Sequence, residues 1–361
     1  MSLFPLAHGF CPSTPKRAAF VILSIMAMAI GRIDPAFAAE PSPRTSLANA
    51  AIAFKVADKP YVVLRRGALE MVIVDNRAVN DAILPGHRAG YHGVGSLKHR
   101  KQPRNLFVPN YSGLNFEHIH DGTVQPREVL FEPRHAPMEL RVIDERTAEL
   151  YQPPTPHWGL ESCLRYELVG DELIEMTFEC IPRRDTYKNG YIGLFWASYI
   201  DQPESLATHF LGPGNEDQPP RRRPEGRWIK ATSPQHGVES THLGIEDRRE
   251  FKYDAAFPLT LVFNRSPHRF IEPWFYGVCR EMAWVQIFRP QDQVRLSQSP
   301  SGGGQGNPAW DFQWFIQNYK IGQRYQLVMR ALYRVHEANP QNPFESEEEL
   351  LRAIRDGGRD W

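Results

Sequence analysis

The sequence predicts an all-β protein: a large antiparallel β-sandwich with a short C-terminal helix. Between residues 61 and 335, short runs of alternating or β-branched residues recur, separated by Pro, Gly, Asn and Asp. The 31 prolines stand mostly between these runs, where they interrupt no sheet. Together these observations favour about 16–20 strands with little helix.

The clearest strand pair lies between Leu164 and Cys180. Apolar residues alternate with polar ones on both arms, at Leu164, Tyr166 and Leu168 and then at Ile174, Met176 and Phe178. A turn at residues 170–172 places these two sets opposite each other, facing one core. Pairing Leu164 with Phe178 puts Cys163 and Cys180 on opposite faces, so we expect no disulfide between them.

The remaining elements follow from the same patterns. An S-x-x-E capping box at Ser346, an apolar stripe at residues 350–354 and Gly357 as a stop predict the C-terminal helix. We expect a β-sandwich domain over residues 59–336 and a helical tail over 337–361. The other predicted strands include Tyr61–Leu64, Leu69–Val74, Val129–Glu132, Glu139–Ile143, Ile192–Tyr199, Leu259–Phe263, Met282–Phe288, Val294–Gln298 and Tyr325–Tyr333.

Residues 1–38 have the pattern of a signal peptide. Lys16 and Arg17 precede an apolar run that ends at Ile30, and Ala36-Phe-Ala38 is a small-x-small cleavage pattern. A retained N-terminal anchor is the alternative. We expect cleavage, a flexible leader over residues 39–58, and a periplasmic or secreted protein with no membrane span after cleavage.

The charge of the chain excludes some partners. The formal net charge is zero, with 42 basic and 42 acidic residues. A near-neutral chain has no general attraction to nucleic acid or to anionic lipid. We therefore expect no nucleic-acid partner.

The sequence pattern of the central hairpin resembles that of the aldose-epimerase-like, or galactose-mutarotase-like, superfamily. The pattern is an aromatic residue and Leu, followed by Asp171-Glu-Leu173 and an alternating strand. The resemblance implies a β-supersandwich with a sugar-binding cleft across one sheet, and a carbohydrate ligand. Aldose epimerases use a His acid and a Glu base. Here the strand Ile192–Tyr199 has no His, and the family's late Glu motif is not matched. The resemblance therefore points to the wider superfamily, which includes glycan lyases, glycoside hydrolase domains and non-catalytic sugar binders.

The densest polar cluster lies between Asn115 and Asp121. In a strand, His118 and His120 face the same side, about 7 Å apart at Cα, where two imidazoles can share a metal ion or a sugar hydroxyl. Glu117 faces the other side unless the strand ends there. We predict His118 and His120 as acid–base residues, with a divalent metal as the alternative use, and Asn115, Glu117 and Asp121 as substrate contacts. A pair of structural strand histidines remains the competing interpretation.

Three further segments carry candidate site residues. The Gly-rich loop at residues 85–95 holds His87 and His92, and it either lines a site or lies on the surface. The Gly-rich loop after Ser301 precedes Trp310 and Asp311, predicted respectively to stack on a sugar and to act as a catalytic carboxylate. The other candidates are His157 and Trp158 in a proline-rich bend, Arg280 as a substrate contact, and Glu281 as a second carboxylate.

Two functions remain open at this point. The first is a carbohydrate-active enzyme (a hydrolase, lyase or epimerase) that uses His and carboxylate acid–base chemistry. The second is a non-catalytic glycan-binding protein of the cell envelope, with Trp158 and Trp310 as stacking platforms. The sequence has no G-x-S-x-G, H-E-x-x-H or paired C-x-x-C motif, so serine-hydrolase, zincin and zinc-ribbon classes have no support.

Overall fold

The computed structural model describes residues 41–214, 226–336 and 343–359. The predicted signal peptide at residues 1–38 lies outside these ranges. The described strands are β1 (Lys55–Val56), β2 (Tyr61–Arg66), β3 (Leu69–Val74), β4 (Gly93–His99), β5 (Asn115–His120), β6 (Glu139–Asp144), β7 (Thr147–Gln152), β8 (Leu160–Leu168), β9 (Leu173–Pro182), β10 (Tyr191–Ala197), β11 (Thr208–Gly212), β12 (Arg227–Ala231), β13 (Thr241–Gly244), β14 (Arg265–Phe270), β15 (Trp274–Cys279), β16 (Met282–Phe288), β17 (Arg295–Ser299), β18 (Ala309–Gln317) and β19 (Tyr325–Val335). The helices are α1 (Arg127–Leu130), α2 (Thr260–Phe263) and α3 (Pro343–Gly357).

These strands form three sheets, which confirms the predicted all-β class. A ten-stranded sheet has the order β1-β6-β7-β8-β9-β19-β16-β15-β11-β12, and a six-stranded sheet has the order β14-β13-β17-β18-β10-β5. A third sheet contains β2-β3-β4. Neighbouring strands are antiparallel, except that β13 and β14 run parallel.

The central hairpin has the predicted register. Strand β8 pairs with β9 so that Leu164 is opposite Phe178 and Leu168 is opposite Ile174. All six alternating apolar residues are buried in the main core. Cys163 is opposite Glu179 in this register. Cys163 and Cys180 are both buried free thiols, so no disulfide joins them, as expected.

The core lies between the two large sheets. It takes Phe178 and Trp284 from the ten-stranded sheet and Trp196 and Phe312 from the six-stranded sheet. The rings of Trp196 and Phe312 stack with centroids 5.0 Å apart. Because strand residues alternate between faces, this packing leaves the alternate residues of β5, β10, β17 and β18 on the opposite face of the six-stranded sheet.

Two predicted strands are wrong. Residues 129–132 belong to α1 and a following 3-10 turn, and residues 260–263 form α2. Pro126 precedes the first of these and Pro258 the second; a proline fixes φ near the helical value and lacks an N–H, so it suits the start of a helical turn better than a paired strand. Both segments pack over the outer face of the six-stranded sheet, where they become relevant to the site.

The two ends of the described chain are attached to the ten-stranded sheet. Within the predicted leader, the buried Thr45 donates a hydrogen bond from Oγ1 to Glu179 at 2.7 Å, and β1 pairs with β6. Helix α3 begins at Pro343, three residues before the predicted cap Ser346. Leu350 and Ile354 of this helix are buried in the main core, as the apolar stripe predicts. No helix in the described ranges is both long enough and apolar enough to cross a membrane.

Candidate functional site

A cavity of about 290 Å³ lies on the outer face of the six-stranded sheet. Its floor comes from strands β5, β10, β17 and β18, and its walls come from the α1 region and the segment around α2. Exposed residues such as Arg127, His236 and Thr260 stand at its rim, so solvent reaches it. The polar side chains that line it are Tyr91, Glu117, His118, Arg127, Arg134, Tyr199, His236, Thr260, Ser299 and Asp311.

A β-bulge on β5 places two consecutive residues in this cavity. Phe195 of β10 pairs with His118, but the next residue, Trp196, pairs with Phe116, so Glu117 is the extra residue. A bulge puts two residues opposite one and locally suspends the alternation of faces. The sequence-based expectation that Glu117 points away from His118 is therefore corrected: both line the cavity, with His118 Nε2 3.5 Å from Glu117 Oε1.

The Glu117 carboxylate is held by two donors. Arg134 donates from Nη2 to Oε1 at 2.7 Å, and the Tyr199 hydroxyl donates to Oε2 at 2.7 Å. The same Arg134 nitrogen lies 3.1 Å from the Tyr199 oxygen. All three side chains are buried. Burial, together with the charge of Glu117, raises the pKa of Tyr199 well above its usual value, so this hydroxyl stays protonated.

Asp311 has a different environment. It is 1% exposed, and its Oδ1 accepts a hydrogen bond from the Ser198 N–H at 2.9 Å. No described Arg or Lys forms an ion pair with it. Burial raises the pKa of Asp311 well above the usual range, and the negative charge of Glu117 raises it further. The hydrogen bond from the Ser198 N–H acts in the opposite direction and lowers the pKa. The cavity therefore holds one carboxyl group that is paired with an arginine and one, Asp311, that favours its protonated form.

Two histidines line the cavity with different surroundings. His118 is buried against Phe131 and Phe195, and burial and then Arg134 lower its pKa well below 6.5, so its imidazole is neutral. His236 is exposed at the rim, with Nδ1 2.9 Å from Ser299 Oγ. The neutral His118 ring can accept a hydrogen bond, but the burial that keeps it neutral also disfavours its protonation.

His120 lies on the same face of the sheet but does not line the cavity. It is fully buried among aromatic rings, with Phe257 at 5.2 Å and Phe315 at 5.9 Å between centroids. Neither ring nitrogen has a hydrogen-bond partner among the described residues, and burial lowers its pKa to about 3. Its surroundings are those of a core residue.

The alternative prediction, that His118 and His120 bind a divalent metal, finds no set of ligands among the described residues. Among residues 41–214, 226–336 and 343–359, no group of three or more His, Cys, Asp and Glu side chains is arranged to hold a metal ion. His118 and His120 are separated by their environments, one at the cavity floor and one inside an aromatic cluster.

The two tryptophans predicted to stack on sugar lie inside the protein. Trp158 is completely buried, stacks on Tyr187 at 5.0 Å and donates its indole N–H to the Val129 carbonyl. Trp310 is also completely buried, and it points to the opposite face from Asp311 because adjacent strand residues alternate. Neither ring has a face open to a ligand, so both stacking predictions are corrected.

Arg280 and Glu281 form the two-residue turn between β15 and β16, with φ of 53° and 60°. Positive φ at both central positions is the geometry of a type I′ hairpin turn. The Arg280 guanidinium donates to the Asp201 and Asn105 carbonyls. Neither residue lines the cavity, so their predicted roles in substrate contact and catalysis have no geometric support.

The other predicted contacts also lie outside the cavity lining. His87 is buried and its Nε2 is 2.7 Å from the Tyr91 carbonyl, while His92 is buried with a pKa that burial lowers to about 3. The Asp121 carboxylate accepts a hydrogen bond from the Lys188 backbone N–H at 2.6 Å. Asn115 is buried beside Ala197, and His157 is exposed in its bend.

Sequence reasoning missed Tyr199, Arg134 and Arg127. Tyr199 carried a usable signal, because Phe195, Ala197 and Tyr199 follow each other at strand spacing and share the cavity face. Arg134 lies in a 3-10 turn whose first residue, Glu132, is the last residue of a predicted strand. No local pattern marks such a residue as a partner of Glu117.

Comparisons with known proteins found no sequence match and several solved structures of low similarity. No family model matches it. No curated protein matches it either. Similar solved structures include a galactose mutarotase-like protein from Lactobacillus casei (7% identity, TM-score 0.42, covering 76% of this chain and 100% of that one) and a putative aldose 1-epimerase from Escherichia coli (9%, 0.39, 76% and 99%). Another is an alpha-N-acetylgalactosaminidase from Bifidobacterium bifidum (12%, 0.44, 82% and 39%). These values fit a weak, divergent relationship and assign no residue of this chain a role.

Proposed function

We propose that this protein is a carbohydrate-active enzyme that uses acid–base chemistry in the cavity around Glu117 and Asp311. The observation that carries the proposal is the contrast between these two carboxyl groups in one cavity. Asp311 is buried without a cation and favours the protonated form, whereas Glu117 is held as a carboxylate by Arg134. Pairs of titratable groups with such different environments are typical of an acid and a base at one site.

The size and lining of the cavity support a sugar as the ligand. Its volume of about 290 Å³ is near the lower end of the range for small-molecule sites, about 300–1,000 Å³, and suits one sugar ring with its substituents. Tyr91 and Phe131 contribute aromatic rings to the lining, with the Arg134 guanidinium over both, while Ser299 and Thr260 supply hydroxyl groups. This combination matches the alternating polar and apolar faces of a pyranose. The resemblance of the Leu164–Cys180 hairpin to sugar-handling proteins agrees with it.

In this proposal, Asp311 donates a proton to a ring or glycosidic oxygen while a basic group on the same cavity floor receives one. His118 is one candidate for the base: its neutral imidazole faces the cavity, and the Glu117 carboxylate 3.5 Å from its Nε2 would offset the cost that burial places on the imidazolium. Glu117 is the second, although its two oxygens already accept hydrogen bonds from Arg134 and Tyr199. Hydrolysis, elimination and epimerisation all require such a pair. We further propose that the enzyme acts in the periplasm or outside the cell, as the signal-peptide pattern of residues 1–38 predicts.

The test is product formation from a glycan panel. Purified protein is incubated with oligosaccharides and free sugars, and products are followed by mass spectrometry for cleavage and by NMR for anomeric or epimeric exchange. We expect turnover of at least one substrate, and a fall of about 100-fold or more in kcat for His118→Ala. His157→Ala is the matched control, because His157 is exposed and lies outside the cavity lining.

Two outcomes would contradict the proposal. Binding of glycans without any product would indicate a non-catalytic glycan-binding protein. Full activity in a His118→Ala/Glu117→Gln double variant would show that the chemistry takes place elsewhere.

A further inference from the structure

A second cavity, of about 310 Å³, adjoins the first. The two share Tyr91, Arg127, Phe131 and Arg134 as walls. The two cavities therefore border each other at these four side chains. The lining of the second cavity is Arg88, Ala89, Gly90, Tyr91, Arg127, Glu128, Phe131, Arg134 and His135.

The charges along this second cavity favour an anion. Three arginines line it against one glutamate, Glu128. Arg134 is ion-paired with Glu117, but Arg88 and Arg127 are exposed and form no ion pair with any described residue. Two guanidinium groups thus face solvent beside a single carboxylate, which leaves the cavity with unbalanced positive charge.

Arg127 is also held in position. Its guanidinium lies over the Phe131 ring, 4.1 Å from the centroid, and Arg134 lies 4.6 Å from the same ring. A guanidinium stacked on an aromatic ring keeps its edge N–H groups available, and these match the two oxygens of a carboxylate or sulfate. Arg127 thus brings hydrogen-bond donors to the lining of both cavities.

We infer that the two cavities form one groove for an acidic sugar, whose carboxylate or sulfate group is bound by Arg127 with help from Arg88. This inference rests on the proposed function for the ring that occupies the first cavity. The ligand is anionic because uncompensated arginines line the second cavity, and it carries its charge on a substituent or a neighbouring residue within reach of Arg127.

The experiment compares matched sugars by isothermal titration calorimetry on the full-length protein. The probes are methyl glucuronide, glucose 6-sulfate and methyl glucoside, together with a glucuronate disaccharide. We expect at least one anionic probe to bind about tenfold or more tightly than the neutral glucoside, with an affinity that falls as salt is added. Arg127→Gln removes this preference, and Arg88→Gln weakens it. Arg100→Gln is the control, because Arg100 is exposed, lies outside both linings and forms no side-chain hydrogen bond or ion pair with any described residue.

The carboxylate and sulfate probes decide which anionic group the groove prefers, and either preference supports the inference. Equal binding of neutral and anionic probes, no binding of any anionic probe at millimolar concentration, or an unchanged preference in Arg127→Gln would overturn it. Failure here is separable from failure of the proposed function. Turnover of neutral sugars alone refutes only the acidic-sugar inference, whereas tight binding of acidic sugars without turnover refutes only the enzymatic proposal. Circular dichroism of each variant shows that the fold is retained.

Discussion

Glu117 and His118 are neighbours on one strand, and both face the same cavity. The bulge opposite Phe195 and Trp196 produces this arrangement. It brings the Glu117 carboxylate within 3.5 Å of the His118 Nε2 and lets Arg134 and Tyr199 reach the two carboxylate oxygens. Bulges occur often beside active sites, where they redirect a side chain.

The Tyr199 hydroxyl is predicted to stabilise the fold through Glu117. Tyr199→Phe removes a buried donor to a charged acceptor, a hydrogen bond of the type that contributes about 1.5–3 kcal/mol. Chemical denaturation should show a fall of that size in the free energy of unfolding. Tyr111→Phe is the control, because its ring packs on Tyr199 and no described residue bonds its hydroxyl; a change above about 0.5 kcal/mol in that control would weaken the assignment.

Trp310 is predicted to hold the two large sheets together. A Cβ placed on Gly277 of β15 would lie 2.2 Å from the Trp310 ring. Gly277→Ala should therefore lower the free energy of unfolding by about 1–3 kcal/mol or more, through overpacking. In Gly244→Ala, the added Cβ would lie 3.2 Å from its nearest atom, so this variant should lower the free energy of unfolding by less. An unaffected Gly277→Ala protein would mean that Trp310 is not packed between the sheets.

Strand alternation predicted the sandwich correctly and part of the cavity lining incorrectly. Strand alternation placed Leu164 opposite Phe178, because a one-residue slip would have exposed the whole apolar face. The same alternation, applied to Glu117, gave the wrong face, since a bulge has no reliable sequence signature. The same alternation places Trp310 and Asp311 on opposite faces, so the two cannot both reach one ligand as predicted.

Long-range partners were also beyond local reasoning. Arg134 is 17 residues from Glu117, and Tyr199 is 82 residues away. Only the pairing of β5 with β10 and the folding of the α1 region over the sheet bring them together. Of the residues predicted as catalytic, His118 and Asp311 line the cavity, whereas His120 and Glu281 do not.

His120 is predicted to make the fold sensitive to acid. Its pKa of about 3 lies below the unfolded value of about 6.5, so its contribution to stability is complete above pH 6.5 and is lost as the pH falls from there. His120→Leu should reduce the loss of unfolding free energy between pH 7 and pH 4, and should leave kcat within about threefold of wild type. Denaturation curves at several pH values measure the slope; an unchanged slope contradicts the assigned burial.

Asp311 is predicted to have the opposite effect. Its folded pKa is raised, so its protonated form contributes fully at pH values below the unfolded pKa of about 4, and stability is lost as the pH rises above it. Asp311→Asn removes this loss of stability, because an amide does not ionise. Its oxygen can still accept the hydrogen bond from the Ser198 N–H. Relative to wild type, the variant should gain stability between pH 4 and pH 8. A pH-independent difference in melting temperature would argue that Asp311 is ionised.

The central claim is that Asp311 supplies the proton in an active cavity, and the kinetics of Asp311→Asn test it most directly. On the substrate identified from the glycan panel, kcat is predicted to fall about 100-fold or more, while KM stays within about threefold. Asp58→Asn, at an exposed carboxylate outside the cavity lining, should match wild type. A folded Asp311→Asn protein with wild-type kcat would contradict the account.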